Sequence, residues 1–197
     1  MILFGGSFDP IHYGHLTLLE TLQSTYPHAE LRLVPTPEPD YKSPILANRH
    51  HRLAMIRLAL KDHPNMGVDT IEMDQTGPCW TYKTVRLLFE QNPGRPLFFA
   101  MGSDSYFAFH TWKNFQEIYP YTQILVLNRD AITPETYDRY YHKHLAFIPK
   151  SRFHFVTMPV TPVSSKDIRH HLTLKNSLAG LVPPAVEAYI KENRVYP

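Results

Sequence analysis

The sequence is poor in the features that mark secreted, membrane-bound or metal-clustered proteins. It holds one cysteine, Cys79, which excludes a disulfide within the chain and a zinc site built from cysteines. That residue reads as a small packed side chain, and the scarcity fits a reducing cytoplasm, the expected location. No apolar run approaches eighteen residues, and no charged stretch followed by a long apolar one stands at the start, so neither a membrane span nor a secretory leader is expected. No run of Lys and Arg has the length of an interaction tail. The formal charge of +2 is too small to argue for nucleic acid or an anionic membrane as partner. Internal repeats and low-complexity segments are missing as well.

A length of 197 residues with 43% hydrophobic content suits one sizeable core. A single domain over residues 1–197 is expected, with a small helical part from about residue 164. Apolar runs at 1–4, 31–34, 68–73, 97–101, 124–127 and 153–156 read as strands. Helical patterns over 15–25, 81–90, 165–174 and 184–192 alternate with them, together with a helix capped by Asn48 and presenting Leu53, Ile56 and Leu60 on its apolar face. The proline-punctuated stretch 35–44 reads as a long loop, and 129–152, rich in Tyr and His without a clean period, as an irregular insertion holding one short helix. This alternation predicts an α/β fold: a Rossmann-like, doubly wound, mostly parallel sheet with helices on both faces and ligands at the strand C-termini.

The chemistry gathers first at residues 4–15, Phe-Gly-Gly-Ser-Phe-Asp-Pro-Ile-His-Tyr-Gly-His. Gly5 and Gly6 let the backbone turn sharply after the strand and approach a ligand. The helix that follows opens close to Gly14, so its free N–H groups and positive dipole end face the loop, a setting that favours polyphosphate. Gly14 leaves room for a base or sugar against the backbone. His12 and His15 stand there as donors of a residue type that titrates near neutrality, and a bound phosphate would favour their charged form. A lone His-x-x-His is more often a pair of surface histidines; the whole segment favours the phosphate reading.

The segment resembles the Gly-Gly-Ser/Thr-Phe-Asp-Pro-x-His-x-Gly-His signature of the nucleotidyltransferase superfamily, specifically the nicotinate (nicotinamide) mononucleotide adenylyltransferases of NAD biosynthesis. Pantetheine-phosphate adenylyltransferases are similar but carry Thr where this chain has His12; cytidylyltransferases are more distant. The resemblance implies the nucleotidyltransferase fold and assigns Gly5, Gly6, Ser7, Phe8 and Gly14 to ATP, with His12 and His15 catalytic.

A second constellation, Val163-Ser164-Ser165-Lys166-Asp167-Ile168-Arg169, reads by its residues as a capping box at a helix start. It also resembles the family's Ile-Ser-Ser-Thr-x-Ile-Arg motif, which implies that Ser164, Ser165 and Ile168 belong to the ATP site and that Arg169 is catalytic. Its planar fork can clamp two phosphate oxygens. Lys166 replaces the family's Thr. Met101-Gly102-Ser103-Asp104 resembles the Gly-Ala-Asp pattern, which implies ATP contacts for Gly102 and ribose binding for Asp104, otherwise a helix cap. Trp112, in a Phe-x-x-Trp segment, and Thr81, in a Tyr-Thr-x-x-Thr-like segment, are the residues the resemblance gives to the mononucleotide; without it Trp112 reads as core and Thr81 as a cap. Lys42, in a departed Pro-Pro-His-Lys segment, is a phosphate candidate.

The resemblance implies transfer of AMP from ATP to nicotinate mononucleotide, yielding nicotinate adenine dinucleotide and pyrophosphate. No residue-built metal centre is expected; Mg²⁺ would be held mainly through ATP phosphates. A homo-oligomer is left open. The alternatives are a pantetheine-phosphate adenylyltransferase-like enzyme and a nucleotide-binding regulatory module of the same fold that has lost transfer.

Overall fold

A computed structural model describes residues 1–37, 45–128, 132–159 and 161–196. The strands are β1 (Ile2–Gly6), β2 (Leu31–Pro35), β3 (Met66–Val68), β4 (Phe98–Gly102), β5 (Gln123–Asn128) and β6 (Phe153–Thr157). The helices are α1 (Tyr13–Thr25), α2 (Arg49–Leu60), α3 (Thr81–Gln91), α4 (Ser103–Ala108), α5 (Pro134–His144), α6 (Ser165–Thr173) and α7 (Pro184–Asn193). They form one six-stranded sheet in the order β3-β2-β1-β4-β5-β6. The paired registers of β1 with β4, β4 with β5, β5 with β6 and β2 with β3 are all parallel. The order reverses between β1 and β4, the position at which doubly wound sheets take ligands. Among the described residues no helix is long and apolar enough to cross a membrane.

The chain divides into two compact units. One comprises residues 1–4 and 79–160, the other 5–78 and 161–197. In the first unit, the fully buried Ile2, Leu3, Ile124, Leu125, Val126 and Leu127 show why these segments read as continuous apolar runs. The irregular insertion expected at 129–152 holds an ordered helix, α5. Pro134 at its start and the cluster His142, Lys143 and His144 in its last turn suit a helix, while its burial rests on aromatic rings, Tyr137 and Tyr141, rather than on an aliphatic stripe. Tyr106 of α4 lies edge-on to Tyr137, Phe153 and Phe155, so α5 is held by an aromatic cluster.

In the second unit, the Asn48 side chain accepts a hydrogen bond from the His51 N–H and caps α2 as expected. The buried face of that helix is Arg52, Met55, Ile56, Ala59 and Leu60: Ile56 and Leu60 are buried as expected, whereas Leu53 is half-buried and Arg52 takes the place beside it. The third strand is a correction: it covers Met66–Val68, not 68–73. The Asp69 carboxylate accepts the N–H of Ile71, and the Thr70 hydroxyl donates to Asp74, so local side-chain bonds bend the chain into a turn just after Val68.

Candidate nucleotide site

In the second unit, β1 ends in exposed Gly5 and half-buried Gly6, and the chain then passes exposed Ser7 and buried Phe8, the latter in the left-handed region at φ 47°. A non-glycine residue there is a strained backbone of the kind found at ligand loops. The Phe8 ring is 1% exposed and lies beneath Gly6, where an added Cβ would come within 3.0 Å of its Cζ. Phe8 therefore shapes the loop from inside, as Ile168, 0% exposed, does for α6.

His12 is the N-cap of α1, and its carbonyl accepts the N–H groups of His15 and Leu16. One turn of helix brings the two imidazoles face to face, with ring centres 3.7 Å apart and planes 25° apart. The edge of Phe8 supports His15 at 5.0 Å. Gly14 is required here: a Cβ would lie 2.9 Å from Nδ1 of His12 and 3.1 Å from Val163.

The second motif closes on the first. Ser165 donates its hydroxyl to the carbonyl of Pro10 at 2.9 Å, and Arg169 donates Nη1 to the carbonyl of Asp9 at 2.6 Å. Two segments some 155 residues apart in sequence thus meet in one cluster. Ser164 behaves as the capping box predicted: its oxygen accepts the Asp167 N–H at 3.2 Å and its hydroxyl donates to the Asp167 carboxylate at 2.6 Å. Lys166 is exposed.

Three residues of this unit escaped the sequence reading. Asp9, 2% exposed, accepts backbone N–H groups of Leu46 and Ala47 and the hydroxyl of Tyr196, with Arg169 at 3.6 Å from Oδ2. Arg52, fully buried, donates Nη1 to the carbonyls of Ser7 and Thr36, each at 2.7 Å, and so ties the phosphate-type loop to the end of β2. Asp9 stood inside the recognised motif; Arg52 was visible only as a cation on the apolar stripe of α2, and nothing in the sequence singled out Tyr196. Burial, then the nearby Asp9 carboxylate, push the Tyr196 phenol far above its ordinary value.

In the first unit, Gly102 is the N-cap of α4 and Asp104 lies exposed in its first turn, not at the cap. A Cβ on Gly102 would meet Asp104 Oδ1 at 2.5 Å, so glycine is what permits that carboxylate its position. Ser103 is buried, donating to the carbonyl of Leu127 and bonded to the hydroxyl of Tyr137 on α5. Trp112 is half-buried, edge-on to Phe99 and Phe109. Thr81 is the first residue of α3 and not its cap, which is Trp80. Lys42 lies outside the described residues. Among the described residues no three His, Cys, Asp or Glu side chains gather where they could hold a metal ion.

The family profile described as cytidylyltransferase-like matches residues 3–171. A protein of Hahella chejuensis named "Probable nicotinate-nucleotide adenylyltransferase" is 35% identical over 100% of this chain and 95% of its own length. One of Cronobacter sakazakii with the same name is 33% identical over 98% of this chain and 94% of its own. Among solved structures, the Plasmodium falciparum nicotinic acid mononucleotide adenylyltransferase complexed with NaAD superposes with a TM-score of 0.80 at 21% identity, covering 99% of this chain and 96% of that one, which shows a shared fold. With one family profile spanning most of the sequence and full-length relatives above 30% identity, the chain belongs to the cytidylyltransferase-like family and, within it, to the nicotinate-nucleotide adenylyltransferases.

Proposed function

We propose that the protein transfers AMP from ATP to nicotinate mononucleotide, releasing pyrophosphate and forming nicotinate adenine dinucleotide. The observation that carries this reading is the bonding of Ser165 and Arg169 to the backbone of Pro10 and Asp9, which gathers both polyphosphate motifs beside the stacked His12 and His15. The 5′-phosphate of the mononucleotide, with a second pKa of about 6 by analogy with phosphorylated side chains, is largely dianionic at neutral pH and attacks without a general base. An oxygen of that phosphate bonds to the α-phosphorus of ATP as the bond from α-phosphorus to the bridging oxygen breaks in line, and pyrophosphate leaves with that oxygen.

Catalysis is then positioning and charge neutralisation. His12 and His15 hold donors at the opening of α1, and Arg169 faces the same loop; these three neutralise charge growing on the transferred and departing oxygens. Exposed Gly5 and Ser7, with Gly6 and Gly14, offer backbone N–H groups to phosphate. Ser165 ties α6 to the loop, and Ser164 keeps the N-terminus of α6 ordered. Gly102 and Asp104 take the ribose, and Thr81, Trp112 and Lys42 the mononucleotide, on the strength of the family resemblance. Mg²⁺ comes with the substrate as Mg-ATP, held mainly by the phosphates and water, as its hard oxygen chemistry prefers.

Purified protein with Mg-ATP is offered nicotinate mononucleotide, its amide and phosphopantetheine, and pyrophosphate is measured. Release with nicotinate mononucleotide well above the other two is expected. Preference for phosphopantetheine overturns the acceptor, and saturable ATP binding with no pyrophosphate from any acceptor makes the protein a binding module.

A further inference from the structure

The carboxylate of Asp9 collects donors from three distant parts of the chain. Oδ1 accepts the Ala47 N–H at 3.0 Å and the Tyr196 hydroxyl at 2.8 Å; Oδ2 accepts the Leu46 N–H at 2.9 Å and stands 3.6 Å from Nη1 of Arg169. The same Nη1 donates to the backbone carbonyl of Asp9 at 2.6 Å. We propose that Tyr196 is a positioning residue for adenylyl transfer, satisfying Asp9 so that the guanidinium of Arg169 stays turned toward phosphate. This rests on the reading of Arg169 as a phosphate ligand.

The physical case is a competition for one cation. A carboxylate that is 2% exposed cannot replace a lost hydrogen bond with bulk water, so it draws on the nearest protein donor. Among the described residues, loss of the Tyr196 hydroxyl leaves Oδ1 the Ala47 N–H as its hydrogen-bond donor. Arg169, already bonded to the Asp9 carbonyl and 3.6 Å from Oδ2, is a charged donor within reach, and its fork can close on both carboxylate oxygens. A guanidinium closed on Asp9 is lost to ATP. Tyr196 itself lies too deep, and too firmly on Asp9, to be a proton donor in the reaction: its phenol is held neutral across the working range.

The test is a double-mutant cycle. Tyr196→Phe keeps the ring and removes only the hydroxyl, and its fold is checked by Tm. In the otherwise native chain we expect it to lower kcat/KM for ATP by about 10-fold, the scale of a hydrogen bond to a charged group. In an Arg169→Ala background the same change should cost less than about 2-fold, because the cation it protects is gone. Equal costs in both backgrounds, or a cost within 2-fold in the native chain, overturn the proposal and leave the reaction untouched. The wild-type pyrophosphate assay comes first: failure there rejects the adenylyltransferase reading instead.

Discussion

The guanidinium of Arg169 and the backbone carbonyl of Asp9 meet at 2.6 Å across 160 residues of sequence. This bond makes one structure of two motifs that the sequence presents separately.

His15→Ala removes one ring of the stacked pair and one donor at the opening of α1. Loss of a preorganised donor to developing charge costs about 10²- to 10³-fold in turnover, so kcat for pyrophosphate release should drop by that factor while Tm changes little. Near-normal turnover would refute the role of the pair.

Gly14→Ala tests the stack by sterics alone. The new methyl would sit 2.9 Å from Nδ1 of His12, so the imidazole has to move, and a displacement near 1 Å at a reacting centre costs about 10²-fold. Steady-state kinetics with ATP and the acceptor measure it; an unchanged kcat shows that His12 need not stand where it does.

Arg52→Met keeps the volume of the side chain and removes the donor shared by Ser7 and Thr36. Each carbonyl left without that donor costs about 1–3 kcal/mol, so unfolding free energy should fall by roughly 2–6 kcal/mol. Urea denaturation reads it from the midpoint, and a variant as stable as the wild type rejects the account.

Acid should weaken the α5 region. Partial desolvation first, then His110 and Lys143, lower the His144 imidazole below its ordinary value of 6.5. Its ring stacks on His110 at 4.1 Å and lies beside Tyr140, whose hydroxyl bonds His110. Folding thus favours the neutral form: the contribution is intact above the unfolded value and lost as pH falls through the folded one. The drop in Tm from pH 7 to pH 5 should be shallower in His144→Gln; equal slopes count against it.

The sequence made the phosphate side of the site legible because its motifs are local. Residues 4–15 and 163–169 each carry their chemistry in a few neighbouring positions, and the capping by Asn48 and Ser164 is a rule of the same short range. The sheet was legible in the same way apart from β3, since buried parallel strands are written as apolar runs. What escaped was set by tertiary partners. Tyr196 matters through a carboxylate 187 residues away, and Arg52 through two carbonyls that no pattern on α2 announces. The turn after Val68 hid behind Ile71 and Met73, whose apolar character imitates a strand while Asp69 bonds locally. The helix α5 was expected only as one short helix without bounds in 129–152, because its buried stripe is made of tyrosines.

Arg52 has one more consequence, for ionic strength. Ions in solution weaken exposed charges over about 8–10 Å, so surface lysines lose their pull on a nucleotide as salt rises. A guanidinium with 0% exposure, bonded to the carbonyl of an exposed loop residue, is shielded from those ions by the protein itself. The tie between Ser7 and Thr36 therefore holds in concentrated salt, and the loop should keep its shape under conditions that loosen surface ion pairs.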